Sequence, residues 1–183
     1  MRRVRHFKKT DILVGIDFFL LFLSIEVIFT INFRPLYYLD IKLLKISETS
    51  GYSKDEIIAN YNALIDYSSP FYRGSLTFPT LRASVSGIQH FKEVKDIFMI
   101  FYGIGALSLI ASVIIILYKS RKRDFSYLAV SSLVSIILPV IIAMFLAIDF
   151  DTAFLVFHKI FFNNDYWIFD PVTDPVINIL PAA

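Results

Sequence analysis

Two histidines of the chain stand where an imidazole side chain could carry out proton transfer. His90 lies about two helical turns, ~10 Å, before an uncharged apolar stretch that begins at Ile97. His158 follows another apolar stretch, and the aromatic residues on its helical face are Phe154, Phe161 and Phe162. Imidazole titrates near neutral pH, and two imidazoles can divide the roles of base and acid. This pair is therefore the strongest candidate for catalysis in the sequence.

These histidines also have simpler interpretations. Two histidines at a membrane interface could do no more than hydrogen-bond lipid headgroups or the backbone. Zinc binding is a further alternative, although no third ligand stands at a convincing spacing. His6, the remaining histidine, lies in a basic N-terminal stretch and is expected to be an ordinary solvated residue.

The residue types and motifs absent from the chain exclude several classes of site. None of the 183 residues is a cysteine, which excludes disulfides, thiol nucleophiles and thiolate metal sites. The sequence also has no G-x-S-x-G nucleophile elbow, no H-E-x-x-H metal motif and no glycine-rich phosphate loop. An enzyme with this sequence is therefore expected to work without a covalent serine or cysteine.

The segments that must position the histidines are mostly apolar. Hydrophobic residues make up 56% of the chain and charged residues only 19%, a composition too apolar for an ordinary soluble domain. Residues 12–31, 97–118 and 125–148 are each long enough, at about 20 residues, to cross a membrane as a helix. The fold class predicted is an all-α membrane protein: a bundle of three transmembrane helices with a small extracellular cap.

Two carboxylates lie inside the first predicted span, where acidic side chains are functional candidates by default. Asp17 is near the cytoplasmic end of the span and Glu26 is nearer the outer end. At ~100° per residue they point to opposite sides of the helix, so they do not form one site. A structural role, such as pairing with a neighbouring helix, is the interpretation we favour for both.

Two clusters of basic residues predict one orientation in the membrane. They are Arg2, Arg3, Arg5, Lys8 and Lys9 in the first cluster, and Lys119, Arg121, Lys122 and Arg123 in the second. The positive-inside rule places the tail 1–11 and the loop 119–124 in the cytoplasm, and hence residues 32–96 and 149–183 on the outer face. The first span is too long for a signal peptide and lacks a small-residue cleavage site, so we expect it to be retained.

The outer segments 32–96 and 149–183 are predicted to be helical in part. Ser53 and Glu56 form a capping-box pattern, which predicts an amphipathic helix that ends near Tyr67. Residues 70–86 are predicted to form a loop with short extended pieces, and a helix is expected from Ile88 into the second span. The segment 149–183 is rich in aromatic residues and is expected to lie in the membrane interface.

Around both histidines the sequence resembles a known family. The matching stretches are 86–95 (SGIQHFKEVK), 157–162 (FHKIFF), 167–171 (WIFDP) and 179–181 (ILP), together with Asn60 and Tyr61. In their order and hydropathy they resemble the lipoprotein intramolecular transacylases, small integral membrane proteins of low-GC Gram-positive bacteria. Glu93 departs from the family pattern, in which an aspartate is expected. The family also implies four spans, so we expect a further span that this chain lacks.

This resemblance implies an acyltransferase that acts on diacylated bacterial lipoproteins in contact with membrane lipids, without nucleic acid. The sn-2 acyl chain of the S-diacylglyceryl group would move to the α-amine of the N-terminal cysteine, giving the lyso-form. The reaction would need no cofactor, metal or external acyl donor. Two alternatives of other classes are a non-catalytic membrane adaptor that binds a lipid or protein through its cap, and a histidine-dependent lipid hydrolase.

The resemblance also suggests roles for individual residues. His90 and His158 would form the acid/base pair, without an assignment of base and acid. The residues expected to line the substrate site are Tyr61, Phe154, Phe161, Phe162 and Trp167. Asn60, Asp170 and Asn178 are candidate orienting groups or oxyanion donors.

Overall fold

The structure, a computed structural model, describes residues 8–181, and these form helices and loops with no β-strand. The predictions for His6 and for the basic residues Arg2, Arg3 and Arg5 fall outside these described residues. The helices are α1 (Lys9–Asn32), α2 (Arg34–Leu43), α3 (Ile46–Ser50), α4 (Lys54–Tyr67), α5 (Val85–Arg121), α6 (Tyr127–Ile148) and α7 (Phe150–Phe161), followed by a 3-10 helix at Pro175–Asn178. The all-α prediction is confirmed.

Three of these helices, α1, α5 and α6, are long and apolar enough to cross a membrane. Each contains most or all of one predicted span. Helix α5 has 37 residues, which at 1.5 Å per residue make about 55 Å, well beyond the ~30 Å of a hydrocarbon core. The helix is therefore long enough for its first turns, which carry His90, to lie outside the span predicted at 97–118.

The chain divides into two compact units, and the first consists of Met1–Val27 and Phe101–Ala153. Polar contacts join its helices: the Ser112 hydroxyl donates to Asp17 at 2.7 Å, and Lys119 pairs with the buried Asp11 at 3.4 Å. Gly15 allows α1 to approach α6, because a Cβ there would lie 3.1 Å from a methyl group of Val134. The contact of Asp17 agrees with the structural role expected for it.

Glu26 has a different environment in this first unit. It lines a cavity of about 400 Å³ between α1 and α6, and its side chain is exposed. The other lining residues are Phe19, Phe22, Leu23, Ser135, Pro139, Ile142, Ala143 and Leu146. The mostly apolar lining is what a groove between two membrane helices requires.

The second unit consists of Ile28–Ile100 and Phe154–Ala183 and has a hydrophobic core of its own. Its buried members are Tyr37, Ile41, Ile46, Ile57, Leu64, Tyr67, Leu76, Phe78, Leu81, Phe91, Val176 and Ile179. Residues 32–96, the segment predicted to form the cap, thus share a core with the C-terminal segment. The Tyr37 hydroxyl, which donates to the Ile179 carbonyl at 2.6 Å, joins the two further.

The capping box predicted for α4 is confirmed. The backbone N–H of Glu56 donates to the Ser53 hydroxyl at 3.3 Å, and the Glu56 carboxylate accepts from the Ser53 N–H at 3.1 Å. The helix ends at Tyr67, as expected. The following loop contains turns and bends, and no strand is assigned within it.

Helix α5 begins at Val85, three residues earlier than the sequence pattern indicated. The Ser84 hydroxyl accepts the N–H of Gly87 at 2.9 Å, which is the N-cap hydrogen bond of a helix that starts here. His90 consequently lies in the second turn of α5, where its backbone is fixed by helical hydrogen bonds.

Candidate active site

His90 and His158 lie side by side within the second unit. Their ring centroids are 6.0 Å apart, although the residues are far apart in sequence. The side chains are only 5% and 8% exposed. One comes from α5 and the other from α7, so both are carried by regular helices rather than by loops. Helices fix side-chain geometry better than loops do, which favours a precise arrangement of the two rings.

Phe162 packs against both imidazoles. Its ring centroid is 4.7 Å from that of His90 and 5.4 Å from that of His158, and the side chain is 5% exposed. Phe169 also contacts His90, with its ring centroid at 5.5 Å. Both phenylalanines thus place apolar surface against the His90 ring.

Two further aromatic residues cover His158. Phe154, one turn earlier on α7, has its ring centroid 4.0 Å from the imidazole, and Trp167 is at 4.7 Å. The rings of Phe154 and Trp167 also contact each other edge to face, at 5.9 Å. The histidine pair is therefore enclosed by aromatic side chains, as the sequence pattern around His158 led us to expect.

The two imidazoles differ in their hydrogen bonds. His158 Nδ1 is 2.7 Å from the Phe154 carbonyl oxygen. A carbonyl only accepts, so Nδ1 carries the proton and Nε2 of the neutral ring keeps its lone pair. In contrast, Nδ1 of His90 is buried and has no hydrogen-bond partner within residues 8–181. Such an orphan is uncommon in folded proteins, which makes Nδ1 of His90 a functional candidate.

Burial also makes His90 hard to protonate. Desolvation, followed by the nearby charge of His158, lowers the pKa of His90 to about 4, while the carboxylate of Glu93 acts in the opposite direction. At neutral pH the His90 ring is consequently uncharged. Two positive charges on rings so close together are disfavoured, and the pair therefore holds one proton more readily than two.

A contact that the sequence did not predict joins the two histidine-bearing segments. The Glu93 carboxylate, on α5, accepts hydrogen bonds from the Asn164 amide at 3.1 and 3.2 Å. Gln89 donates to the same carboxylate at 3.0 Å. In the sequence Glu93 is visible only as a departure from the family pattern, and no local pattern points to Asn164.

Asp174 is another functional candidate that the sequence did not reveal. Its carboxylate is 3% exposed, accepts the N–H of Ser84 at 2.7 Å, and accepts the Thr173 hydroxyl at 2.9 Å. It thereby attaches the C-terminal segment to the first turn of α5, where a negative charge is favoured by the helix dipole. Asp174 and Ser84 are ninety residues apart, so no local pattern could have paired them.

Gly87 is required where Asp174 meets α5. A Cβ at position 87 would lie 2.2 Å from the Asp174 carboxylate and 3.2 Å from the ring of Phe169. We expect Gly87→Ala to destabilise the protein by about 1–3 kcal/mol, since overpacking against a buried group outweighs the gain in helix propensity. The measurement is thermal unfolding in detergent micelles. Val85→Ala, an exposed substitution in the same turn, is the control, and equal unfolding temperatures for both variants would contradict the prediction.

Two of the predicted site residues are used elsewhere in the second unit. Asn60 is fully buried and forms four hydrogen bonds: its amide donates to Glu56 and Thr80, and its oxygen accepts the N–H groups of Thr80 and Leu81. Tyr61 stacks on Tyr37 and contacts Tyr38. The contacts of Asn60 use its full hydrogen-bonding capacity and attach α4 to the following loop.

Three other predicted residues are exposed. Asp170 accepts the N–H of Val172 at 2.7 Å and so stabilises a turn. The Asn178 amide lies 3.5 Å from the carbonyl of Pro171, and the residue lines a separate groove of about 480 Å³. The Phe161 ring contacts that of Phe157, with centroids 4.7 Å apart. Within residues 8–181, no three histidine or carboxylate side chains are grouped as metal ligands.

Comparison with known proteins gives a consistent result. A family model described as lipoprotein intramolecular transacylase Lit matches residues 12–183. Among solved structures, the chain is similar to the membrane-integral lipoprotein intramolecular transacylase Lit from Bacillus cereus, at 36% identity and a TM-score of 0.90, covering 94% of this chain and 81% of that one. A search of curated proteins found no match.

Two further structures of the Bacillus cereus protein are similar as well. In one a histidine is replaced by arginine, with 36% identity, a TM-score of 0.81 and coverage of 94% of this chain and 76% of that one. In the other a histidine is replaced by alanine, with 35% identity, a TM-score of 0.85 and coverage of 94% and 79%.

Proposed function

This chain belongs to the lipoprotein intramolecular transacylase family, and from this premise we propose that His90 and His158 are its acid/base pair. The substrate is a bacterial lipoprotein whose N-terminal cysteine carries an S-linked diacylglycerol. The enzyme moves the sn-2 acyl chain to the α-amine of the same cysteine. The single observation that carries the proposal is the pair of buried imidazoles 6.0 Å apart in an aromatic enclosure.

The two rings suit different roles. His90 is uncharged at neutral pH, because burial holds its pKa at about 4, and its Nδ1 has no partner within the described residues. An uncharged imidazole with a free nitrogen is able to accept a proton from the attacking amine. His158 donates Nδ1–H to a carbonyl, which leaves Nε2 as the nitrogen available to pass a proton to the leaving oxygen. We therefore assign the base role to His90 and the acid role to His158.

Over one turnover the two histidines gain and lose the same number of protons. The neutral α-amine, whose pKa is about 7.7–8.0 in model peptides, attacks the sn-2 ester carbonyl and loses a proton to His90 as the N–C bond forms. Between the two steps both rings are protonated, and the negative charge on the oxygen of the tetrahedral intermediate offsets the second positive charge. When the intermediate collapses, the C–O bond breaks and protonated His158 donates a proton to the leaving alkoxide. The pair holds one proton before and after the reaction. Transfer of that proton back to His158 restores the starting state.

The enclosure supports the difficult step of this reaction. Attack within one molecule passes through a ring of about eight atoms, counted from nitrogen through sulfur to the carbonyl, and rings of that size close reluctantly. Holding the reacting ends together can supply much of the rate enhancement. The aromatic side chains around His90 and His158 would also exclude water, whose attack on the ester would waste the acyl chain.

The site is proposed to face the outer side of a bacterial cell membrane. The basic residues of the loop 119–124 favour the cytoplasm, which assigns the first turns of α5 and the whole of α7 to the opposite side. Exposed aromatic residues of α7, Phe157 and Phe161 among them, would then lie at the depth of the lipid headgroups. At that depth the acyl chains of a lipoprotein can remain in the bilayer while its polypeptide stays in water.

Mass spectrometry of a reporter lipoprotein, produced with and without this protein, tests the activity. Transacylation isomerises the lipopeptide: we expect an unchanged total mass, with one acyl chain moved to the N-terminal amine in tandem spectra. A lipid hydrolase would instead release an acyl chain and lower the mass. A non-catalytic adaptor would leave the lipopeptide unaltered, and either of these results would refute the proposal.

A further inference from the structure

A carboxylate–amide bridge, formed by Glu93 and Asn164, joins the two segments that carry the histidines. Glu93 follows His90 by three residues on α5, and Asn164 follows His158 by six residues, just beyond the end of α7. Both carboxylate oxygens lie within 3.2 Å of the same amide nitrogen. Because one partner is charged, these hydrogen bonds are stronger than those between neutral groups.

The bridge continues to His158 through Trp167. The backbone carbonyl of Asn164 accepts the indole N–H of Trp167 at 3.1 Å, and its side-chain oxygen accepts the N–H of Tyr166 at 3.0 Å. Asn164 therefore fixes the turn that presents the indole, and the indole packs 4.7 Å from the His158 ring. The result is a continuous chain of contacts from Glu93 to His158.

Glu93 is held in the same way on its own helix. Gln89 donates to the Glu93 carboxylate at 3.0 Å, one turn earlier on α5, which limits the rotamers open to it. The hydrogen bonds of Glu93 and Asn164 that the structure describes run to each other, to Gln89, to Tyr166 and to Trp167. Within residues 8–181 neither residue is hydrogen-bonded to an imidazole. Apart from the charge of Glu93, which opposes the lowering of the His90 pKa, their influence on catalysis would therefore act through position.

Resting on the acid/base roles proposed above, we propose that Glu93 and Asn164 are positioning residues, whose bridge sets the distance between His90 and His158. A shift of about 1 Å in a catalytic group, caused by a residue that does not touch the substrate, can cost about 100-fold in rate. The bridge is well placed to prevent such a shift, because it is the hydrogen-bonded link between α5 and the turn after α7.

An exchange of the two chemical groups tests the bridge. Asn164→Asp alone would set two carboxylates within hydrogen-bonding distance, and we expect kcat to fall about 100-fold with little change in KM. Combining it with Glu93→Gln restores a carboxylate and an amide with their positions reversed. We expect the double variant to recover at least about tenfold in kcat over Asn164→Asp, a coupling within the range seen for contacting residues.

Two controls accompany the exchange. Asn163→Asp makes the same chemical change at the exposed neighbouring residue, and we expect its kcat to stay within about twofold of the parent. Glu93→Ala removes the carboxylate without creating repulsion, so a protein that folds should still lose about tenfold in kcat. Unfolding temperatures in detergent micelles separate a loss of folding from a loss of positioning.

Each result of this series has a defined meaning. Full activity of Glu93→Ala, or a folded double variant no better than Asn164→Asp, would overturn the bridge while leaving the histidine roles intact. Full activity of the His90→Ala and His158→Ala variants would instead overturn the acid/base pair. Recovery of kcat in the double variant, together with inactive histidine variants, supports both proposals. If the contact only stabilised the fold, kcat would recover only to the extent that the unfolding temperature recovers.

Discussion

His90→Ala is expected to lower kcat for the acyl shift by about 10²–10⁴-fold, the usual contribution of a positioned general base or acid. KM should change little, because the acyl chains and the aromatic enclosure would still bind the lipopeptide. The rearranged product is quantified by mass spectrometry of a purified reporter lipopeptide in micelles. A neutral methyl group cannot accept the proton that the attacking amine must lose.

The double variant His90→Ala/His158→Ala makes this prediction sharper. Residues that act as one unit give non-additive losses, so we expect the double variant to be about as inactive as the poorer single variant. His6→Ala, at the histidine far from both in sequence, is the matched control and should keep the parental rate. Independent, multiplicative losses would show that the two imidazoles act without exchanging a proton, contrary to the shared proton proposed for the pair.

Much of the framework could be predicted from the sequence because its signals are local. Twenty-residue apolar stretches have few alternatives to membrane helices, and α1, α5 and α6 agree with them. The capping box at Ser53 and Glu56 likewise depends on residues three apart. The two histidines could be singled out because the sequence itself shows the residue type, the distance of each from a predicted span and the neighbouring aromatic residues.

The polar contacts that organise the site could not be predicted in the same way. Asp174 with Ser84, and Asn164 with Glu93, are pairs separated by 90 and 71 residues. An asparagine or aspartate in a turn gives the same local signal whether it is solvated or buried against a distant helix. For the same reason the sequence could not predict the four hydrogen bonds by which Asn60 holds α4 to a loop.

Two short helices were also invisible in the sequence. Helices α2 and α3 contain ten and five residues, lengths at which a helix in isolation is marginal and depends on tertiary packing. Tyr37 and Ile41 of α2 and Ile46 of α3 supply that packing, since all are buried in the core of the second unit. Their sequence pattern becomes interpretable only when the partner surface is known.

Phe162→Ala is expected to have the second large effect, on stability and activity together. The ring is 5% exposed and lies within 5.5 Å of both imidazole centroids. Removing a buried phenylalanine typically costs about 3–5 kcal/mol, because a cavity remains where the ring was. We also expect kcat to fall at least about tenfold, since His90 and His158 would lose the surface that both pack against.

Phe161→Ala is the matched control, because the same substitution at the preceding residue removes a ring that is 55% exposed and contacts only Phe157 among the ring contacts described. It should leave kcat within about twofold and change the unfolding temperature much less. Both variants are measured in the same micelles, by thermal unfolding and by the lipopeptide assay. Equal losses for the two would mean that Phe162 has no role beyond that of its exposed neighbour. A selective loss at Phe162 would support the view that a shared aromatic surface holds the two imidazoles at their working distance.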